Sequence, residues 1–142
     1  MDRVDYFDTF IGVAPDSSAV SGEVPPPRTG GPTVAALTFD IVSEHPYEFT
    51  SGDVIFTVMA DRKAIPDDER AAARRAFYSR GQACLRSSDL GKRYGWGIHS
   101  DAEGRVALYG IDSPEYQAFI TGVNPSGGTV AVTYAMRSTR TR

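Results

Sequence analysis

The sequence contains few of the residues that build disulfide frameworks or metal centres. Its 142 residues include one cysteine, Cys84, and two histidines, His45 and His99. A lone cysteine has no partner within its own chain, so an intramolecular disulfide is excluded and a reducing compartment is expected. No Cys-x-x-Cys or His-x-x-x-His spacing occurs, and we therefore predict neither a metal site nor a cofactor.

Long apolar runs and an excess of positive charge are lacking as well. No stretch approaches the roughly 20 apolar residues that cross a bilayer. The opening "MDRVDYFDTF" lacks the cationic and apolar blocks of a signal peptide. The formal net charge is −3 and the isoelectric point is about 5.3. We therefore expect a soluble cytoplasmic protein, and we expect neither a membrane nor nucleic acid as a partner.

The remaining composition is typical of one globular domain. Hydrophobic residues make up 41% and charged residues 23%, near the averages for folded proteins. The length suits a single core. We predict one domain over residues 1–142, with a proline- and glycine-rich arm over 15–33 and a flexible tail over 137–142.

Several segments carry the signals of helices. Apolar spacing predicts a helix over about 32–44 that starts at Pro32. A proline followed by acidic and then basic residues predicts a second helix over 66–80. Ser113 as a cap and Pro114 at the first position predict a short helix that closes near Gly122.

The segment 54–63 is ambiguous between helix and strand. Thr50 and Asp53 resemble a capping box, which favours a helix. The alternation of Val54, Phe56 and Val58 fits a strand as well.

Alternating residues predict the strands. They occur at 6–13, in a hairpin over 94–111 and around Val130. Tyr94, Trp96 and Ile98 share one face of the hairpin, so we expect Trp96 to be mostly buried. Together these patterns predict a single α+β domain, in which a small antiparallel sheet carries about four helices packed largely on one face.

The stretch "CLRSSDLGKRYGWGIH", residues 84 to 99, concentrates reactive residue types. In a catalytic interpretation, Cys84 or Ser88 is a nucleophile and His99 is its base. That mechanism requires hydrogen-bonding reach between the two side chains, which spacing in sequence does not establish. In the other interpretation Cys84 packs as a small hydrophobic residue.

The same stretch also suits binding without catalysis. Arg86, Lys92 and Arg93 can bind a small anionic ligand or an acidic protein partner through charged hydrogen bonds. Gly95 and Gly97 leave one strand face bare, so a helix, an aromatic ring or a ligand must approach it closely. We therefore expect a noncatalytic binding module first and an enzyme that uses Cys84 or Ser88 with His99 as the alternative. The oligomeric state is not predicted.

Five motifs, in this order and spacing, resemble an uncharacterised bacterial family catalogued as a domain of unknown function. They are "YFDTFI", "GEVPPP", "PTVA", "HPYEFTSGDVIF" and "CLRSSDLGKRYGWGIH". The resemblance covers nearly the whole chain. It implies a bacterial source and one shared architecture, and it implies no particular activity.

Overall fold

A four-stranded sheet forms the centre of the computed structural model, which describes residues 2–27 and 29–139. The strands β1 to β4 are, in chain order, Thr9–Gly12, Trp96–Ser100, Val106–Gly110 and Ala131–Tyr134. Their spatial order is β3-β2-β1-β4. The β1–β2 and β2–β3 pairs are antiparallel, whereas β4 runs parallel to β1. The sheet is therefore mixed, because the chain crosses from one edge to the other before β4.

The described residues also form five α-helices, so the predicted single α+β domain is confirmed. The helices α1 to α5 are Val34–Glu44, Ser51–Arg62, Arg70–Tyr78, Asp89–Lys92 and Pro114–Ile120. Short 3₁₀ turns at Asp67–Glu69 and Leu85–Ser87 precede α3 and α4. None of the five helices is both long and apolar enough to cross a bilayer.

Side-chain caps determine where the helices begin. The predicted helix start at Pro32 is wrong. Thr33 caps α1 by accepting the N–H of Ala36, so Pro32 precedes the cap and lies outside the helix. Thr50 and Asp53 form the predicted capping box, and the segment that follows is helix α2. Ser113 caps α5, as the sequence predicts.

Two apolar clusters cover the two faces of the sheet. On one face, Val42 of α1 and Val54 of α2 pack with Ile11 and Ile98 of the strands. On the other face, α5 supplies side chains that pack on Phe10. The helices α1 and α2 thus share one face, and α5 is the exception to the predicted one-sided arrangement.

The bare glycine face of β2 is filled by the chain's own atoms. A Cβ atom on Gly97 would collide with the rings of Phe10 and Tyr116. Gly95 has a φ of +76°, and a Cβ there would collide with the carbonyl oxygen of Ser21. The predicted close approach to these glycines is confirmed. Two aromatic rings approach Gly97, and a backbone carbonyl group approaches Gly95.

The arm passes over Trp96. The indole N–H donates to the Glu23 carbonyl oxygen at 2.8 Å, and the ring lies against Gly22 and Phe39. The expectation that Trp96 is mostly buried is wrong, since the residue is half-buried even though the arm passes over it. In the predicted tail, the N–H groups of Ser138 and Thr139 donate to Asp16, and residues 140–142 lie outside the described residues.

Candidate functional site

The two residues of the predicted catalytic pair lie on different faces of the sheet. His99 faces α5, where its ring stacks on Phe119 at a centroid distance of 4.4 Å. The Cys84 Sγ atom lies 3.4 Å from the Tyr6 hydroxyl, and the next residue, Leu85, packs into the cluster on the α1 and α2 face. His99 is therefore not within hydrogen-bonding reach of Cys84 as a base.

Ser88, the other predicted nucleophile, serves to begin a helix. Its hydroxyl oxygen accepts the N–H of Leu90 at 3.2 Å and caps α4. Across residues 2–27 and 29–139, the hydrogen bonds of His99 involve neither Cys84 nor Ser88. The structure thus separates the groups that the catalytic interpretation requires together.

The predicted ligand-binding residues are also dispersed. Arg86 donates from Nε to the Tyr134 carbonyl oxygen at 2.7 Å, at the outer edge of β4. Lys92 ends α4. Arg93 lines a concavity of about 360 Å³ together with Arg62, Asp89 and the start of α1. Gly95 and Gly97 are covered, as described above, so these five residues do not share one surface.

A larger cavity, which the sequence did not predict, lies between the N-terminal segment and the loop after α3. Its volume is about 610 Å³. One wall is residues 2–6 and the other is residues 78–84, and we call this space the 2–84 cavity. It is lined by Asp2, Arg3, Val4, Tyr6, Tyr78, Ser79, Arg80, Gly81, Gln82 and Cys84. No spacing or motif connects these two segments in the sequence.

Ionic contacts hold the N-terminal wall in place. Asp2 accepts from Arg74 Nη2 at 2.6 Å, and Arg74 Nη1 donates to Asp53 at 2.8 Å. Asp5 accepts the backbone N–H of Gly52 at 2.7 Å. Arg74 of α3 thus joins residues 2–5 to the start of α2.

Burial, hydrogen bonds and nearby charges shift the pKa values of Asp5 and Asp53. Burial raises the pKa of Asp5, and the N–H of Gly52 only partly offsets it. Burial also acts on Asp53, but the N–H of Thr50 and the guanidinium of Arg74 outweigh it and lower the pKa of that carboxyl. The lowered pKa of Asp53 thus reflects its pairing with Arg74.

The arginines of the 2–84 cavity have no such partner. Arg3 and Arg80 are exposed, and neither forms an ion pair with any residue that the structure describes. Because Asp2 is paired with Arg74, the uncompensated charge in the cavity is positive. Guanidinium groups such as those of Arg3 and Arg80 can bind a carboxylate or a phosphate.

The hydroxyl of Tyr6 lies beside the thiol of Cys84 in the same cavity. Burial and the contact with Cys84 raise the pKa of Tyr6, and the nearby Arg86 guanidinium opposes this. Tyr6 therefore remains a neutral hydroxyl near pH 7, which can donate a hydrogen bond but is not a base for Cys84. Burial, followed by the charge of Asp2, raises the pKa of Tyr78 to about 12, so this hydroxyl also stays protonated.

These features define a small α+β domain with an arginine-lined cavity and a cysteine that lacks a base. Within residues 2–27 and 29–139, no three histidine, cysteine or acidic side chains are grouped to hold a metal ion. Over residues 1–141 the chain matches the family described as "Family of unknown function (DUF6157)", and it belongs to that family. Comparisons with curated proteins and with solved structures find no match. The predicted resemblance to a family of unknown function is thus confirmed.

Proposed function

We propose that this domain is a noncatalytic binding module that holds a small anionic ligand in the 2–84 cavity. The observation that carries the proposal is that two arginines, Arg3 and Arg80, line this cavity. Arg3 and Arg80 lack a carboxylate partner in the described chain, while Asp2 is paired with Arg74. A carboxylate or phosphate placed between the two guanidinium groups receives charged hydrogen bonds from both sides.

The size and lining of the cavity support a small molecule as the ligand. Its volume of about 610 Å³ lies within the usual range for ligand pockets. Tyr6 and Tyr78 offer aromatic surface, and the Gln82 amide offers a further donor and acceptor. A small organic acid or a phosphorylated metabolite matches this combination.

The alternative, an enzyme with Cys84 as nucleophile, has weaker support. Cys84 does line the cavity, but its thiol lies beside the protonated hydroxyl of Tyr6. His99 lies on the other face of the sheet. The bacterial source, the cytoplasmic location and a protein partner also remain predictions from the sequence.

Calorimetric titration with citrate and with inorganic phosphate tests the proposal. We expect Arg80→Ala and Arg3→Ala each to weaken binding about 10- to 100-fold, because a hydrogen bond to a charged group contributes roughly 1.5–3 kcal/mol. Arg62→Ala is the matched control, since Arg62 lines the smaller concavity instead. Loss of binding in Arg62→Ala but not in Arg80→Ala, or no binding by the wild type, would refute the proposal.

A further inference from the structure

A hydrogen-bonded cluster with a buried histidine lies on the α5 face of the sheet. The Tyr47 hydroxyl lies 2.8 Å from His99 Nδ1 and 2.8 Å from the Tyr109 hydroxyl. His99 is 2% exposed. Its Nε2 atom is buried and has no hydrogen-bond partner in the described part of the chain. One nitrogen of the ring is therefore hydrogen-bonded, and the other is buried without a partner among the described residues.

Every element packed against His99 is apolar or neutral at the point of contact. The α5 helix presents Phe119, β1 presents Phe10, β3 presents Ala107, and the segment between α1 and α2 presents Tyr47. The charged groups that act on the ring are Asp101 and Asp8. Burial lowers the pKa of His99, and the two carboxylates oppose that effect without cancelling it.

Few backbone hydrogen bonds attach the segment that contributes Tyr47 to the sheet. We call residues 45–50 the connector, because they join α1 to α2. Tyr47 has a φ of +59°, which side-chain-bearing residues rarely adopt. Two backbone hydrogen bonds attach the connector to β3, from Tyr47 to Val106 and from Val106 to Phe49, both at 2.9 Å. In contrast, β2 is hydrogen-bonded along both of its edges.

We propose that Tyr47 and His99 form a pH-sensitive latch, in which protonation of His99 in mild acid releases the connector from a sheet that remains folded. An imidazolium carries two N–H donors, and in the closed structure the one on Nε2 would be buried without an acceptor. Such a group is costly to bury. The connector opens before β2 does, because fewer backbone hydrogen bonds attach it to the sheet. When it opens, water can reach the His99 ring.

The direction of the pH dependence follows from the two forms of the ring. In the open form His99 titrates near the ordinary value of about 6.5. In the closed form its pKa is lower. The closed form is therefore fully favoured above about pH 6.5 and is lost progressively as the pH falls below that value. Between pH 7.5 and 5.5 the ratio of open to closed molecules should rise, by at most about tenfold.

Amide hydrogen exchange between pH 7.5 and 5.5 tests the latch on the intact chain, after correction for the intrinsic pH dependence of exchange. We expect the protection of the Tyr47 and Val106 amides to fall, by up to about tenfold, while the Ile98 amide stays protected. In His99→Gln this pH dependence should disappear. His45→Gln is the matched control, because His45 is the other histidine and lies exposed on the connector, paired with Glu48.

Three results would overturn the latch. They are equal loss of protection at Ile98 and in the connector, connector protection that does not change with pH, and a pH response that persists in His99→Gln. If His99→Gln does not fold, the NMR titration of the His99 ring in His45→Gln tests whether protonation of His99 opens the connector. Its midpoint must coincide with the midpoint of the connector's loss of protection.

Discussion

At the scale of single residues, the missing side chain at position 97 allows two aromatic rings to reach the sheet. Phe10 and Tyr116 meet edge to face, with a centroid distance of 5.2 Å, where a Cβ of residue 97 would lie. The tight α5 face therefore depends on glycine at this position.

We expect Gly97→Ala to lower the free energy of unfolding by roughly 1–3 kcal/mol, because the added methyl group overpacks a close-packed core. Urea denaturation measures this change. Gly81→Ala is a suitable control, since a Cβ at Gly81 meets nothing within 4 Å and its stability should change by less than about 0.5 kcal/mol. A Gly97→Ala protein as stable as the control would contradict the packing described here.

Cys84 tests the choice between binding and catalysis. We expect Cys84→Ser to fold and to bind citrate with unchanged affinity. The expected loss of stability is on the order of 1 kcal/mol, for a weaker apolar contact beside Tyr6. Calorimetric titration and thermal unfolding measure the two effects. A covalent adduct that forms rapidly on Cys84 with a dilute alkylating agent, in a protein whose Ser variant loses binding, would favour the enzyme instead.

At the scale of elements, α3 acts as a clamp. None of its residues is fully buried. Tyr78 lines the 2–84 cavity, whereas Arg74 supports the cavity wall without lining it. Arg74 holds Asp2, while the Tyr78 hydroxyl donates to the Gly52 carbonyl oxygen at 2.6 Å. The helix thus positions the wall that carries Arg3.

Removing this clamp should weaken binding even though Arg74 is not a lining residue. We expect Arg74→Ala to increase hydrogen exchange in residues 2–6 and to weaken citrate binding several-fold, because Arg3 is no longer held in position. Arg75→Ala is the control on the same helix, since Arg75 is exposed and forms no ion pair with a described residue. Equal affinity in Arg74→Ala and wild type would show that the ion pairs do not position the wall.

Local signals in the sequence predicted most of the elements. The capping residues Thr50 and Ser113 led to α2 and α5, and alternation led to the strands. The parallel direction of β4 was missed, because a short alternating segment carries no information about the strand it pairs with. The 3₁₀ turn and short helix within 85–92 were not predicted, since elements of three or four residues have no periodicity to detect.

At the scale of the whole molecule, the candidate site depends on contacts between segments that are distant in sequence. Arg3 and Arg80 line the same cavity because Arg74 and the Asp5–Gly52 hydrogen bond attach the N-terminal segment to α3 and to the start of α2. Nothing in the local sequence around either arginine indicates this. In contrast, the reactive residue types of the stretch 84–99 do not come together. Cys84 lies in a cavity wall, Ser88 caps a helix, and His99 lies on the opposite face of the sheet.

The most direct test of the central claim is an NMR titration of the isotope-labelled chain with citrate, followed residue by residue. We predict the largest shifts at the backbone amides of Arg3, Arg80 and Gln82, around the 2–84 cavity. Shifts centred on residues 29–35 and Arg93 would place the anion in the smaller concavity, and the absence of any shift would show that neither site binds it. Either result would contradict the proposed function.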